Sequence, residues 1–435
     1  MVLIYSPVSN SRLQYTCSFI FKEQLQVGFD ITTDAGKFAA YEGVKINYSN
    51  EAISTSEFRI GSVQLLFENS IQQQQINCFE TNQYKAFFKR EGADLSFDIL
   101  AATFYLVSRY EEYLPHEKDM YGRYAHENSL AFKEGVLNLP LVNIWIKAFA
   151  DKLEEKFSPL PAGREVFKLK LSTFNFIPTY DIDIAYAYRH KGLVRSLGAF
   201  LKSPAIERVK VLAGLQKDPF DSYEWMDALH KKYQLKPHYF FLAAQKNGVY
   251  DKNILPGTTA FSYLVKQHAD KYETGIHPSW QSGDDFRLLQ QEKKIIEHIT
   301  GKEVKRSRQH YIRFNLPAGY RRLLEAGITD DYSLCYGSIN GFRASVAASF
   351  YWFDLEKEEQ TLLRIHPSCF MDANSFYEQH FSAEQAYEEA MHYLKICKEV
   401  NGQLITIWHN NFLGTAKQFA GWRACYETFI QHINL

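Results

Sequence analysis

Beyond about residue 165, short apolar runs alternate with longer stretches in which apolar residues recur every three or four positions. The short runs fall near 174–182, 238–243, 272–277, 304–310, 329–336, 361–366 and 404–409. Each has the length and the β-branched or aromatic content of a strand. Between most of them the pattern turns helical, as over Asp284–Thr300 and Ala383–Val400. Strands separated by helices pair in parallel, because the crossover returns the chain in the same direction. About seven such units suit a closed or nearly closed barrel better than an open sheet, although the spacing alone allows both.

The first 160 residues read differently. Met1–Pro7 looks like a first strand, and Phe19-Ile20-Phe21, Lys45–Tyr48 and Val63–Phe67 are short β-type runs between polar turns. From Asp98 the pattern becomes helical, and Asp98–Val107 carries apolar side chains all round, as a buried helix does. A second helix near Leu141–Phe157 stops at Ser158-Pro159-Leu160-Pro161-Ala162-Gly163, whose prolines and glycine suit a linker. With 435 residues the chain accommodates two domains. The expected division is an N-terminal α/β accessory domain over 1–163 and a β/α barrel over 164–435.

Four of the runs end in residues that carry chemistry: Ile177–Asp183, Tyr272–His277, Val304–His310 and Leu404–His409. In β/α barrels the site is built where the strands finish, so residues distant in sequence meet there. Asp181 and Asp183 alternate with Tyr180 and Ile182, which puts both carboxylates on one strand face. Two carboxylates there repel unless a cation or a basic group lies between them. They read as a general base and a metal ligand, or more plainly as caps of the following helix. His277, stiffened by Pro278, is a candidate ligand or an ordinary satisfied histidine. His409 can protonate a leaving group if a partner fixes its tautomer, and Asp372 and Asp354 both qualify as that partner. Arg308 and Arg343 offer guanidinium groups to hold a base ionised, and His310 adds another imidazole; singly, each also suits a surface ion pair.

Composition narrows the partners. The charges are balanced, 49 basic against 50 acidic, so no basic field exists to hold a nucleic-acid backbone. No polybasic tail marks a membrane surface, and no apolar run approaches the length of a membrane span. The six cysteines are widely spaced with no CxxC, which fits free thiols in a reducing compartment. The start of the chain lacks a charged segment followed by an apolar core. A cytoplasmic protein is expected, and oligomeric state leaves no mark in the sequence. The aromatic share of 15% reads first as packing, with Trp280 and Trp408 as the candidates for stacking on a sugar ring.

Together these segments resemble the polysaccharide deacetylase superfamily, the NodB-type domain of carbohydrate esterase family four. Thr179-Tyr180-Asp181-Ile182-Asp183 is similar to the TxDxD form of its opening motif, which implies Asp181 as base and Asp183 as metal ligand. His277 takes the first position of its HxxxH motif, and Ile407-Trp408-His409 matches its closing strand. Arg308 matches the arginine of its third motif by order along the chain, with Arg343 as competitor. The resemblance covers about residues 170–435 and is closest to Bacteroidetes-type members, which carry an extra N-terminal region opening on a similar Ile-Tyr-Ser strand. It implies a distorted (β/α)7-type barrel, a divalent metal, zinc first, and hydrolysis of the N-acetyl amide of a sugar or glycan intermediate.

One departure bears on the metal. Gln281 stands four residues after His277, where the family has histidine. Glutamine is a poor zinc ligand. Either His310 supplies the missing imidazole from the next strand, or Gln281 coordinates weakly, or the metal is lost. Two further readings therefore stand beside the deacetylase: an inactive carbohydrate- or partner-binding protein, and a hydrolase of a non-sugar amide.

Overall fold

A computed structural model of the chain describes residues 1–81, 83–158, 169, 172–191 and 206–433. The expected linker residues 159–163 lie outside the described residues. Strands β1 (Val2–Tyr5), β2 (Phe29–Thr32), β3 (Lys45–Tyr48) and β4 (Phe58–Ile60) form a parallel sheet in the order β2-β1-β3-β4. β1 and β3 are almost wholly buried, as parallel strands covered on both faces must be. The helix Ile99–Val107 is buried along its whole length, and the Asp98 carboxylate caps it by accepting from the Ala101 N–H at 2.9 Å. β5 (Phe79–Glu80) and β6 (Lys85–Ala86) pair antiparallel beside this layer.

Two expected strands in this region are helical. Phe19-Ile20-Phe21 lies inside the wide helical segment Ser18–Gln24, and Val63–Phe67 forms the short turn of helix Gln64–Phe67. A brief, wholly buried apolar run carries no period, so strand and buried helix look alike in sequence.

The second sheet contains β7 (Asn175–Ile182), β8 (His238–Leu242), β9 (Glu273–His277), β10 (Arg306–Ser307) and β11 (Asp330–Asp331). It also contains β12 (Phe350–Asp354), β13 (Glu359–Ile365), β14 (Phe370–Met371) and β15 (Gln403–His409). The order is β12-β13-β11-β10-β9-β8-β7-β15-β14, and every pairing but β12 with β13 is parallel. The chain is thus a mixed α/β protein built on parallel sheets, as its alternating pattern implies. The runs expected near 304–310 and 329–336 keep only two strand residues each.

Strand hydrogen bonds do not close this sheet, yet it cannot lie flat. Only four residues separate β13 from β14, which stand seven strand positions apart. Seven spacings of a flat sheet span roughly 34 Å, whereas that connection reaches about 18 Å at most. The sheet therefore curls until β13 and β14 meet. Backbone bonds Ser368 N to Leu334 O (3.2 Å) and Gln403 N to Ala347 O (2.7 Å) tie the margins. Inside the curl, Phe240, Tyr332 and Ile405 form a small core of their own with Ile177. Gly275 of β9 is required by this crowding: a Cβ there would lie 2.7 Å from the Arg306 carbonyl oxygen and 2.8 Å from the Phe240 ring.

The N-terminal layer packs directly on this sheet. Tyr15 and Phe104 meet Phe353 with ring centroids 5.0 and 5.3 Å apart. Glu112, fully buried, receives Arg343 through two bonds of 2.8 and 2.6 Å and Arg109 through a third of 2.7 Å. Burial opposes its ionisation, but the two guanidinium groups hold its pKa at about 2. A carboxyl lowered in this way contributes stability above its ordinary value and loses it as pH falls through the folded one. Among the described residues, Glu112→Gln takes the only carboxylate from Arg343 and leaves Arg109 with Glu111 alone, at 2.9 Å. It is expected to cost about 3–5 kcal/mol in urea unfolding; an unchanged midpoint would show the cluster to be energetically idle. Among the described residues no helix is long and apolar enough to cross a membrane.

Candidate metal centre and active site

The register of the curled sheet brings the strand ends to one level. His409 of β15 lies opposite Asp181 of β7, and His277 of β9 lies opposite Leu242 of β8. A cavity of about 630 Å³ opens above them, lined by Asp181, Asp183, His277, His310 and His409 among others. Four widely separated segments thus converge on one space.

Asp183, His277 and His310 each offer a ligand atom, and these atoms lie within 4.8 Å of one another. Asp183 Oδ1 is 3.1 Å from His277 Nε2, and Oδ2 is 3.4 Å from His310 Nε2. Both imidazoles are held in one tautomer from behind. His277 Nδ1 donates to the Arg308 carbonyl at 2.5 Å, and His310 Nδ1 donates to Asp251 Oδ1 at 2.9 Å. That leaves each Nε2 lone pair facing Asp183, the arrangement second-shell acceptors impose on metal-bound histidines. Asp183 Oδ1 is buried and makes no hydrogen bond, even with His277 Nε2 so close. A carboxylate and two Nε2 atoms converging on one point, with both Nδ1 atoms engaged behind, fit a divalent cation. Without one, burial pushes Asp183 up, but His310 and His277 hold it well below the usual carboxylate range. Burial pulls His310 down, while Asp183 and Asp251 carry it up to about 9. Metal uptake therefore displaces a proton. Gln281 is exposed in the turn Gln281–Gly283 that follows Trp280, so it is His310 that stands with Asp183 and His277.

Two further pairs flank this cluster. Asp181, buried, accepts from Arg308 Nη1 at 2.8 Å, and its other oxygen lies 3.8 Å from His277 Nε2. Arg308 is itself fixed, with Nε donating to the Tyr332 carbonyl at 3.1 Å and its plane 4.5 Å above the Phe240 ring. His409 Nδ1 donates to Asp372 Oδ1 at 2.6 Å, leaving Nε2 toward the cavity, 3.4 Å from Asp183 Oδ2. Burial works against a charged imidazole, yet Asp372 and Asp183 hold its pKa well above the ordinary value.

Of the two carboxylates open as partners of His409, Asp372 is the one in contact. Asp354 instead binds Arg321 through two bonds of 2.7 and 2.8 Å. Arg343 does not reach the cavity: Glu112 and the Cys335 carbonyl saturate its guanidinium. Trp408 is also misplaced as a sugar-stacking residue. It neighbours His409 on β15, so strand alternation turns it to the other face, where it packs on Phe370, Trp422 and Tyr426. Trp280 stands behind the cavity wall, stacked 4.0 Å from the lining residue Tyr250, with its backbone N–H donating to Asp251 Oδ1 at 3.0 Å. Asp251 itself is absent from the sequence reading; it sits in a loop after β8, where no periodicity marks it.

No curated protein matches the chain. A model of DUF7033, a family of unknown function, matches residues 2–158. Among solved structures, a Mycobacterium smegmatis protein described as a polysaccharide deacetylase shares 14% identity at a TM-score of 0.40, over 60% of this chain and 84% of its own. A polysaccharide deacetylase from Bacillus cereus shares 11% at 0.31, over 60% and 89%. A carbohydrate esterase family four pseudoenzyme from Bacillus anthracis shares 10% at 0.30, over 60% of each chain. At such distances the activity of this chain has to be argued from its own residues.

Proposed function

We propose that this chain is a metal-dependent hydrolase of the N-acetyl amide of a sugar or a small glycan intermediate. The observation that carries the reading is the Asp183–His277–His310 cluster, flanked in one cavity by a carboxylate on arginine and an imidazole on carboxylate. Taking β13 and β14 as one interrupted strand, seven strands ring that cavity, a distorted (β/α)7-type barrel over 164–435. Residues 1–163 form its accessory α/β domain in this reading.

Asp183, His277 and His310 would hold a divalent cation, zinc by the chemistry of the donors, and such an ion would supply Lewis acidity. Asp181, oriented by Arg308, accepts the proton of the water that attacks the acetyl carbon. His409, charged by virtue of Asp372, gives its proton to the departing nitrogen as the C–N bond breaks. A C–O bond replaces that C–N bond, and the products are acetate and a free amino sugar. Buried and half-buried free thiols fit a reducing, cytoplasmic setting.

The test is acetate release from N-acetylated mono- and oligosaccharides by the zinc-loaded chain. Sugar binding without acetate would leave a binding protein, and acetate or ammonia from other amides alone would move the reaction off sugars. Asp372→Asn removes the anion that keeps His409 protonated. The alkaline limb of the pH–rate profile is therefore expected to move to lower pH, and an unmoved limb would take His409 out of the acid role.

A further inference from the structure

The loop Lys118–Tyr124 belongs to the N-terminal part of the chain, yet it reaches the cavity. An antiparallel bridge between Lys118 and Tyr124 closes it. The Asp119 carboxylate accepts from the backbone N–H of Tyr121 and of Arg123, each at 2.9 Å, and from Arg123 Nε at 2.6 Å. Gly122, at φ +74°, makes the left-handed turn at the tip. The loop is therefore built before any ligand arrives.

Arg123, 4% exposed, fastens it to the barrel by donating from Nη1 to the Tyr311 carbonyl at 2.8 Å. A side chain on Gly337 would have to displace that guanidinium from its place. Tyr311 and Ile312 hold φ of +58° and +55°, an uncommon conformation for an aromatic and a β-branched residue. They directly follow His310. The N-terminal loop thus grips the strained segment that carries a candidate metal ligand.

At the tip, the Tyr121 ring meets Tyr311, Trp280 and Tyr250 at 5.4, 5.9 and 6.0 Å between centroids. Tyr121 and Arg123 line the same cavity as Asp181 and Asp183. On the His409 side its wall is Asn374, Tyr377 and Phe412. Between the two walls, about 630 Å³ suits a short sugar, since pockets of roughly 300–1,000 Å³ enclose ligands of that size.

We propose that the loop Lys118–Tyr124 is the specificity element of this active site, selecting a mono- or disaccharide over the interior of a polymer. Tyr121 presents its half-exposed ring to a sugar ring, and Arg123 is the positioning residue that seats it. The identity of the reacting acetamide rests on the amide-hydrolase reading, whereas the stacking wall does not.

The experiment measures both binding and turnover of di-N-acetylchitobiose and its hexameric homologue on the full, zinc-loaded chain. Wild type is expected to favour the disaccharide. Tyr121→Ala is expected to raise Kd and KM for the disaccharide about tenfold with a smaller fall in kcat, and Tyr121→Phe to restore both. Arg123→Ala is expected to move KM in the same direction, while zinc content and melting midpoint check that each variant folds. Unchanged Kd and KM in Tyr121→Ala, or a preference for the hexamer, would overturn the proposal. Binding that depends on Tyr121 without acetate release would overturn the hydrolase reading alone. Binding of neither sugar by wild type would overturn both.

Discussion

Asp181→Asn is expected to cut acetate release by about a thousandfold while leaving zinc content intact, since a positioned general base contributes about 10²–10⁴. Asparagine keeps the size of the side chain and an oxygen for Arg308 Nη1, so the buried contact survives. What it lacks is a basic oxygen to take a proton from water. Zinc should stay because the ligand cluster is Asp183, His277 and His310, with Asp181 Oδ2 no nearer than 3.8 Å to His277 Nε2. Steady-state rates and metal analysis on one preparation separate the two effects. An asparagine variant with near wild-type turnover would remove Asp181 from the base role.

His310→Ala is expected to weaken zinc binding by more than about a hundredfold. Loss of an outer-shell partner alone typically costs about 10–100-fold, and His310 is placed in the inner shell. Asp251→Asn, which loosens only the tautomer of His310, should cost about tenfold. Gln281→Ala should leave the affinity as it was, because that side chain is exposed. Competition titrations with a zinc indicator order the three variants. The reverse order, with Gln281→Ala the most damaging, would return the HxxxH-like position to the metal.

Much of the fold was legible because strands β7, β8 and β15 of the second sheet are largely apolar, bounded by polar turns and separated by helices. β10 and β11 were less so: each is two residues long, and Arg306, Asp330 and Asp331 are charged. β14 pairs over two residues, four residues after β13 ends, and leaves no period of its own. Curling of the sheet was open in the sequence, since it depends on which strands meet across the short connection 366–369.

At the site, Asp181 and Asp183 announced themselves through strand alternation. The same rule, applied to Trp408 beside His409, would have turned the indole away from the cavity. Choosing between Arg308 and Arg343, or between Asp372 and Asp354, required the partners each one faces, and those come from remote segments. Tyr121 and Arg123 carry no local signal at all; their place at the cavity exists only once the N-terminal layer docks on the second sheet.

Anomalous diffraction at the zinc edge, from crystals of the full chain loaded with zinc, tests the metal assignment most directly. A single peak bounded by Asp183 and the Nε2 atoms of His277 and His310, at about 2.0–2.2 Å from each, is the predicted result. A well-folded chain with no peak there, or with the ion seated at Gln281, contradicts the assignment.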